Sequence, residues 1–315
     1  MKILITGNAG FIGYAVSREL LMKNHYVVGL DNFSTGKVEN ALDLQEEFND
    51  HFEQYDGSIN DKKLVIKIMK DCDRVIHLAA IPTIPKSVKD PKGTAIANIV
   101  GTINMLECAS KSNIKKFVFA SSSSIYGDSV GLLSESCFKN PNNPYGIQKW
   151  SAEQFCKYYS EKNGMNISIL RYFNVYGERQ YPSSGAVIPS FIYGILKSDS
   201  VTINGGLQTR SYIYVEDVAY ATRLAVEENE SIFSIMNIAG SKSYTVTEIF
   251  NLITQEIGKP SEIFYLPMAK TNRQNSMASI DRAKFIINFT PFMIMERGLQ
   301  NTIDWVKKEF RLEDK

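Results

Sequence analysis

Short unbroken apolar runs alternate with amphipathic stretches through the first half of the chain. Ile3-Leu4-Ile5 is apolar at every position and closes on Thr6, as a strand covered on both faces requires. Comparable runs recur at 26–30, 74–78, 117–121 and 167–170. Between them, segments such as 12–22 and 98–110 carry apolar residues at helical spacing. Repeated alternation of this kind predicts an α/β fold, a doubly wound parallel sheet with helices on both faces. Beyond Tyr176, Gly185, Pro189, Gly205 and Gly206 punctuate shorter elements. Residues 212–237 return to a helix-and-strand pattern, and Gly298-Leu299 opens an amphipathic helix running through Trp305. The expected division is a large unit of 1–176 plus 212–240 and a smaller C-terminal α/β unit of 177–211 plus 241–315.

Composition narrows the classes. The chain has 315 residues, with 35 basic against 34 acidic side chains. Such a balance offers no basic field to a phosphate backbone, so no nucleic-acid partner is expected. Four cysteines form no CxxC pair and three histidines lie far apart, which argues for a reducing compartment and against a metal site. No stretch reaches the ~18 apolar residues of a membrane span, so no membrane partner is expected. Met1-Lys2 runs straight into the first strand without a signal-peptide pattern, and a cytoplasmic location is expected.

Gly7-Asn8-Ala9-Gly10-Phe11-Ile12-Gly13 joins the first predicted strand to the first helix. Glycines at these positions let the backbone turn tightly and approach a pyrophosphate, which the helix N-terminus then attracts. The context is Rossmann-type, although the spacing is GxxGxxG rather than GxGxxG. Asp31 ends the second predicted strand, where a carboxylate accepts ribose hydroxyls and repels a 2′-phosphate. No arginine follows it directly, so NAD is the expected cofactor.

Tyr145 and Lys149 form a YxxxK pair, which places both side chains on one helix face. With 16 tyrosines, about one such pair arises by chance, and Tyr158/Lys162 and Tyr193/Lys197 match as well. Context selects the first pair, which follows Pro144 and the run Ser121-Ser122-Ser123-Ser124-Ile125-Tyr126-Gly127. A phenol ordinarily titrates near pH ~10 and becomes a base when an ammonium and a cationic nicotinamide favour its anion. Ser122 or a neighbour can share the same substrate hydroxyl. The other two pairs read as solvated helix surface.

These residues resemble the extended short-chain dehydrogenase/reductases, in particular the NAD-dependent nucleotide-sugar epimerases and dehydratases. Thr6 to Gly13 resembles that family's TGxxGxxG loop, with Gly7, Gly10, Phe11, Ile12 and Gly13 about the cofactor. Asp31, Asn32, Ser34, Thr35 and Gly36 resemble its ribose-binding segment. His77-Leu78-Ala79-Ala80 resembles the HxAA strand end beside the cofactor, and Asn98 with Gly101 and Thr102 the helix beneath it. Ser58 and Ile59 fall near the adenine, with serine where the family has an acid. The segments Leu170–Gly177 and Gln208–Asp217 are similar to highly specific family blocks. The resemblance implies Ser122, Tyr145 and Lys149 as the catalytic group, with Ser123 and Ser124 beside the sugar. It also implies Asn174 and Arg210 on the nucleotide diphosphate, Val187 and Ile188 flanking the base, and a homodimer built by the helices around 98–110 and 146–163.

Within that family, sugar dehydratases carry an Asp-Glu pair immediately after the catalytic residue, and decarboxylases a Thr-Glu variant. Ser123 and Ser124 stand there instead. The expectation is therefore a UDP-sugar 4-epimerase working through a transient 4-keto sugar and bound NADH. Ser276 falls on the position that gates the C2 substituent, and a small residue there leaves room for an N-acetyl group. UDP-GlcNAc/UDP-GalNAc is the expected pair, with UDP-Glc/UDP-Gal beside it. The alternatives are a UDP-glucuronate or other nucleotide-sugar epimerase or reductase, and a catalytically silent NAD-binding regulator. The loop 204–207 is about one residue short of the family form. The family's second phosphate-binding arginine is missing near Ala269, leaving Lys270 or Arg273 to take its place.

Overall fold

The computed structural model describes residues 1–112, 114–198, 200–267 and 276–312. Its strands are β1 (Lys2–Thr6), β2 (Tyr26–Asp31), β3 (Phe52–Asp56), β4 (Arg74–His77), β5 (Lys116–Ser122), β6 (Gly131–Leu133) and β7 (Ile167–Tyr172). They continue with β8 (Asn174–Tyr176), β9 (Ser200–Asn204), β10 (Thr209–Tyr214), β11 (Phe233–Ile238), β12 (Ser243–Thr245), β13 (Glu262–Leu266) and β14 (Ser276–Ala278). Seven form one parallel sheet in the order β11-β7-β5-β4-β1-β2-β3. Strand order reverses between β1 and β4, which opens a crevice at their C-terminal ends. The glycine loop leaves β1 there, and Leu78-Ala79-Ala80 leaves β4.

The five apolar runs are β1, β2, β4, β5 and β7, the central strands. Ile3, Leu4 and Ile5 are fully buried, as are Val75 and Ile76 and Phe117 to Phe119. The remaining two strands lie at the sheet edges. One of them, β3, reads Phe-Glu-Gln-Tyr-Asp because an edge strand needs no continuous apolar face. One face of the sheet is covered by the helices Phe11–Met22 and Val215–Glu227, with Ala283, Ile287 and Phe289 joining that core. The other is covered by Lys62–Met69, Gly101–Lys111 and Pro144–Asn163.

A separate apolar core gathers the helices Val187–Ser198, Val246–Ile257 and Met295–Phe310 against β8, β9 and β10. The sequence places the start of the last helix at Gly298; it starts at Met295, three residues earlier. In the smaller sheet β10 lies between β8 and β12. Tyr212 pairs with Asn174 in parallel register, and Arg210 opposes Tyr244. Among the described residues no helix is long and apolar enough to cross a membrane.

Candidate functional site

The glycine loop is shaped for close approach. Gly7 has φ +76°, and a Cβ at Gly13 would come within 1.9 Å of the Gly7 carbonyl oxygen. The helix opening at Phe11 has Gly10 at its N-cap, no side-chain cap and no acid in its first turn. Its leading N–H groups are thus left to an anion, as a pyrophosphate requires. Ala9 is fixed on both sides. Its N–H donates to Asp31 Oδ2 at 3.1 Å, and its carbonyl accepts from Asn40 Nδ2 at 2.8 Å. Asp31 Oδ1 accepts the Phe33 N–H at 2.8 Å. Burial raises the Asp31 pKa, against the pull of those donors. Asn32 Oδ1 takes the Ser34 N–H, and Gly36 packs so tightly that a Cβ would lie 2.9 Å from Asp31 Oδ2. The donors and the carboxylate fit the phosphates and ribose of NAD. Thr35 lies in the same turn, and Ser58 and Ile59 follow β3, next to β2 in the sheet.

Asn98 sits behind this crevice. Its amide exchanges two hydrogen bonds with Ile81, at 2.8 and 3.1 Å, and donates to Gln148 Oε1 at 2.8 Å. Both of its donors are therefore occupied by protein, and it braces the 79–81 turn against the helix that carries Tyr145. His77 extends the brace. Thr102 Oγ1 donates to the Asn98 carbonyl, so it accepts from His77 Nε2–H, while Nδ1 lies 2.7 Å from Thr6 Oγ1. Burial pushes this imidazole down to about 3, so it is neutral near pH 7.

The serine run ends β5 and turns into a single helical turn, Ser123–Tyr126. Ser122 Oγ accepts the Ser124 N–H and donates to Ser124 Oγ, each at 3.1 Å, and its hydroxyl beside the Tyr145 phenol pulls that group's pKa down against burial. Tyr145 opens the helix Pro144–Asn163, where proline tolerates the first position and Asn143 caps the Gly146 N–H at 2.9 Å. Gly146 lets this helix close on the serine turn; a Cβ there would meet the Ser124 carbonyl oxygen at 2.6 Å. The Tyr145 N–H donates to Ser87 Oγ at 3.2 Å.

Lys149 lies one turn further on, buried, and donates to the Ala120 carbonyl at 2.8 Å. Its ammonium stands 4.8 Å from the Phe119 ring centroid. Among the protein's own groups, burial sets the resting state of this pair. Burial dominates both, pushing Tyr145 up to about 12 and Lys149 down to about 8. The Tyr193/Lys197 pair, by contrast, makes a 2.9 Å contact on an exposed helix surface.

Sequence reasoning missed the frame beneath this group. Glu153, one turn past Lys149, takes a two-pronged ion pair from Arg171 at 2.9 and 2.7 Å, both residues 1% exposed. Ser121 Oγ donates to the same carboxylate at 2.5 Å. Arg171 also donates to the Tyr126 hydroxyl, which donates to Asn237 Oδ1 at 2.7 Å. The signal was available: a glutamate at four-residue spacing from Lys149, and an arginine inside an apolar strand, both needing partners.

In the smaller sheet, Asn174 Nδ2 donates to the Ser211 carbonyl at 2.9 Å, and Arg210 Nη1 to the Thr209 carbonyl at 2.8 Å. Burial lowers the Arg210 pKa. Tyr212, two residues on from Arg210 and on the same strand face, is 6% exposed, yet its hydroxyl has no partner among the described residues. Ile188 packs in the smaller core, with Val187 half-buried beside it. Ser276 pairs with Gly131 in the β14–β6 register. Ala269, Lys270 and Arg273 lie outside the described residues.

Residues 3–239 match the family model described as the NAD dependent epimerase/dehydratase family. The chain is 38% identical to a putative UDP-glucose 4-epimerase of Methanocaldococcus jannaschii, over 98% of this chain and 99% of that one. It superposes on a UDP-N-acetylglucosamine 4-epimerase from Methanobrevibacter ruminantium, solved with UDP-N-acetylmuramic acid. The TM-score is 0.92 at 34% identity, over 98% of each chain. It also superposes on a UDP-glucuronic acid 4-epimerase from Bacillus cereus, solved with UDP-glucuronic acid and NAD. There the TM-score is 0.92 at 32% identity, over 98% of this chain and 100% of that one.

Proposed function

The chain belongs to the NAD-dependent epimerase/dehydratase family, and we propose that it is a UDP-sugar 4-epimerase interconverting UDP-GlcNAc and UDP-GalNAc, with UDP-Glc and UDP-Gal as further substrates. The observation that carries this reading is the Ser122 hydroxyl placed beside the Tyr145 phenol, with Lys149 one turn along and serines rather than acids at 123 and 124. A phenol and a hydroxyl meeting at one point suit proton transfer at a sugar carbinol. A sugar dehydration needs an added acid and base, and residues 123 and 124 supply neither.

In this reading Tyr145 takes the proton of the sugar 4-hydroxyl while Ser122 holds that oxygen. When bound, NAD supplies the hydride acceptor and donor at C4. Lys149 orients the nicotinamide ribose, and its positive charge favours the Tyr145 anion at the moment of transfer. The 4-keto sugar turns over within the site and takes its proton back from Tyr145. Residues 7–13, 31–36, 58–59 and 78–80 hold the cofactor, with Asn98 bracing the last of these from behind. We assign Ser123, Ser124, Asn174, Val187, Ile188, Arg210 and Ser276 to the nucleotide sugar and add the Tyr212 hydroxyl to them. The cofactor belongs to 1–176 plus 212–240, and the nucleotide sugar to 177–211 plus 241–315.

The N-acetyl preference is supported by serine at 276 and by likeness to the Methanobrevibacter enzyme. Exposed Ile96, Val100 and Ile147 on the helices named for dimerisation support a homodimer, which sedimentation measures. The test of function is to incubate the protein with UDP-GlcNAc without added NAD and follow the anomeric protons by NMR. Appearance of UDP-GalNAc is expected. Turnover of UDP-Glc alone would overturn the N-acetyl assignment, and no turnover of any UDP-hexose would overturn the epimerase reading.

A further inference from the structure

The segment after β8 reaches back to the glycine loop through one arginine. Arg179 adopts a left-handed backbone, φ 67°, which is uncommon for a residue with a side chain. Its guanidinium lies 3.8 Å from the ring centroid of Tyr14, the residue next to Gly13. One nitrogen donates to Asn40 Oδ1 and another to Asp43 Oδ2. Asn40 is buried, and its own amide holds the Ala9 carbonyl in the middle of the glycine loop. A single side chain thus grips the loop at two points, against Tyr14 just beyond Gly13 and through Asn40 at Ala9.

The parts of this grip are unequal. The Asp43 carboxylate is 46% exposed, so that ion pair contributes little. The Asn40 hydrogen bond is charge-assisted and shielded on the buried Asn40 side, and the ring contact is close, so these two carry the contact. Two residues on, the Tyr181 ring lies 4.8 Å from the Lys37 ammonium, whose own backbone N–H also donates to the Ala9 carbonyl. Tyr181 in turn donates to Glu309 at 2.6 Å. The anchor of this segment is therefore the smaller unit, while its grip is on the cofactor loop.

We propose that Arg179 is a positioning residue for coenzyme retention: by clamping Tyr14 and Asn40 it holds the glycine loop in its anion-binding shape and slows the loss of NAD. The proposal rests on the cofactor reading of that loop. An epimerase returns its hydride to the sugar it came from, so a coenzyme that stays through turnover is what the chemistry asks for. Arginine is required, because a lysine ammonium cannot both cover the Tyr14 ring and reach two acceptors.

The experiment loads wild type, Arg179→Ala, Arg179→Lys and Asp31→Ala with NAD. It then dilutes each into an NAD-consuming scavenger and measures retained NAD against time after heat release. Arg179→Ala should lose NAD about tenfold faster than wild type and Arg179→Lys nearly as fast, the effect of losing a bidentate fork with its stacking. Excess NAD should return the kcat of Arg179→Ala to near the wild-type value, with near-UV circular dichroism unchanged. Retention by Arg179→Ala equal to wild type, alongside rapid loss from Asp31→Ala, would overturn the proposal and leave the cofactor reading standing. Equal retention by all four proteins would overturn both. Activity that excess NAD does not restore would show general damage and overturn the positioning role.

Discussion

Lys149 donates its ammonium proton to the carbonyl oxygen of Ala120 at 2.8 Å, inside a site where no carboxylate among the described residues pairs with it. Burial lowers its pKa from 10.5 to about 8. A buried cation without an anionic partner costs stability and is kept for another reason. Lys149→Met preserves length and removes the charge. At pH 7 it should raise stability by up to about 3 kcal/mol in urea unfolding. It should also lower turnover by about 10²–10⁴-fold. A variant that is both less stable and fully active would contradict this assignment.

Glu153 and Arg171 form the opposite case, a fully paired ion pair below the serine turn. Glu153→Ala leaves the guanidinium buried and uncompensated, which costs about 3–5 kcal/mol. Urea unfolding should show that loss. Glu153→Leu combined with Arg171→Met should recover a large part of it, because two apolar side chains need no partners. The double variant should still lose activity, since Ser121 would no longer be tied down beside Ser122.

Tyr212 carries a buried hydroxyl with no partner among the described residues, on the strand face shared by Arg210 and Asn174. Removing such a group relieves a penalty of about 1–3 kcal/mol. Tyr212→Phe should therefore melt higher without substrate and show a raised KM for the nucleotide sugar at nearly unchanged kcat. An unchanged KM would remove Tyr212 from the substrate site.

The His77 imidazole titrates normally when unfolded and only near pH 3 when folded. Its folded pKa is depressed, so its contribution is complete above pH 6.5 and is lost as pH falls toward 3. Wild type should lose about 4–5 kcal/mol through this group across that window. His77→Gln should be less stable at pH 7 and show a flatter dependence between about pH 6.5 and 4. Parallel curves for the two proteins would refute that contribution.

The sequence shows most plainly whatever the central sheet demands. Five strands lie between neighbours and are covered on both faces, so each is dominated by apolar residues and is readable from them, the buried polar exceptions such as Ser168 and Arg171 finding partners only in the fold. The edge strand Phe52–Asp56 has solvent beside it and no such run. The glycine loop and Tyr145/Lys149 are readable because their chemistry is local, within one turn or one strand–helix joint. The Glu153–Arg171 pair and the Arg179–Asn40 contact join residues 18 and 139 positions apart, and only the folded chain brings them together. The electrostatics of the pair at 145 and 149 are likewise out of the sequence's reach, because burial decides them.

Proton transfer from the sugar hydroxyl to the phenol at 145 is the step on which the proposed reaction depends. The epimerisation rate of Tyr145→Phe at saturating UDP-GlcNAc, with NAD occupancy matched to wild type, measures it without an intermediary. Loss of at least about two orders of magnitude with NAD fully retained is the predicted result. Turnover within a few-fold of wild type would contradict it.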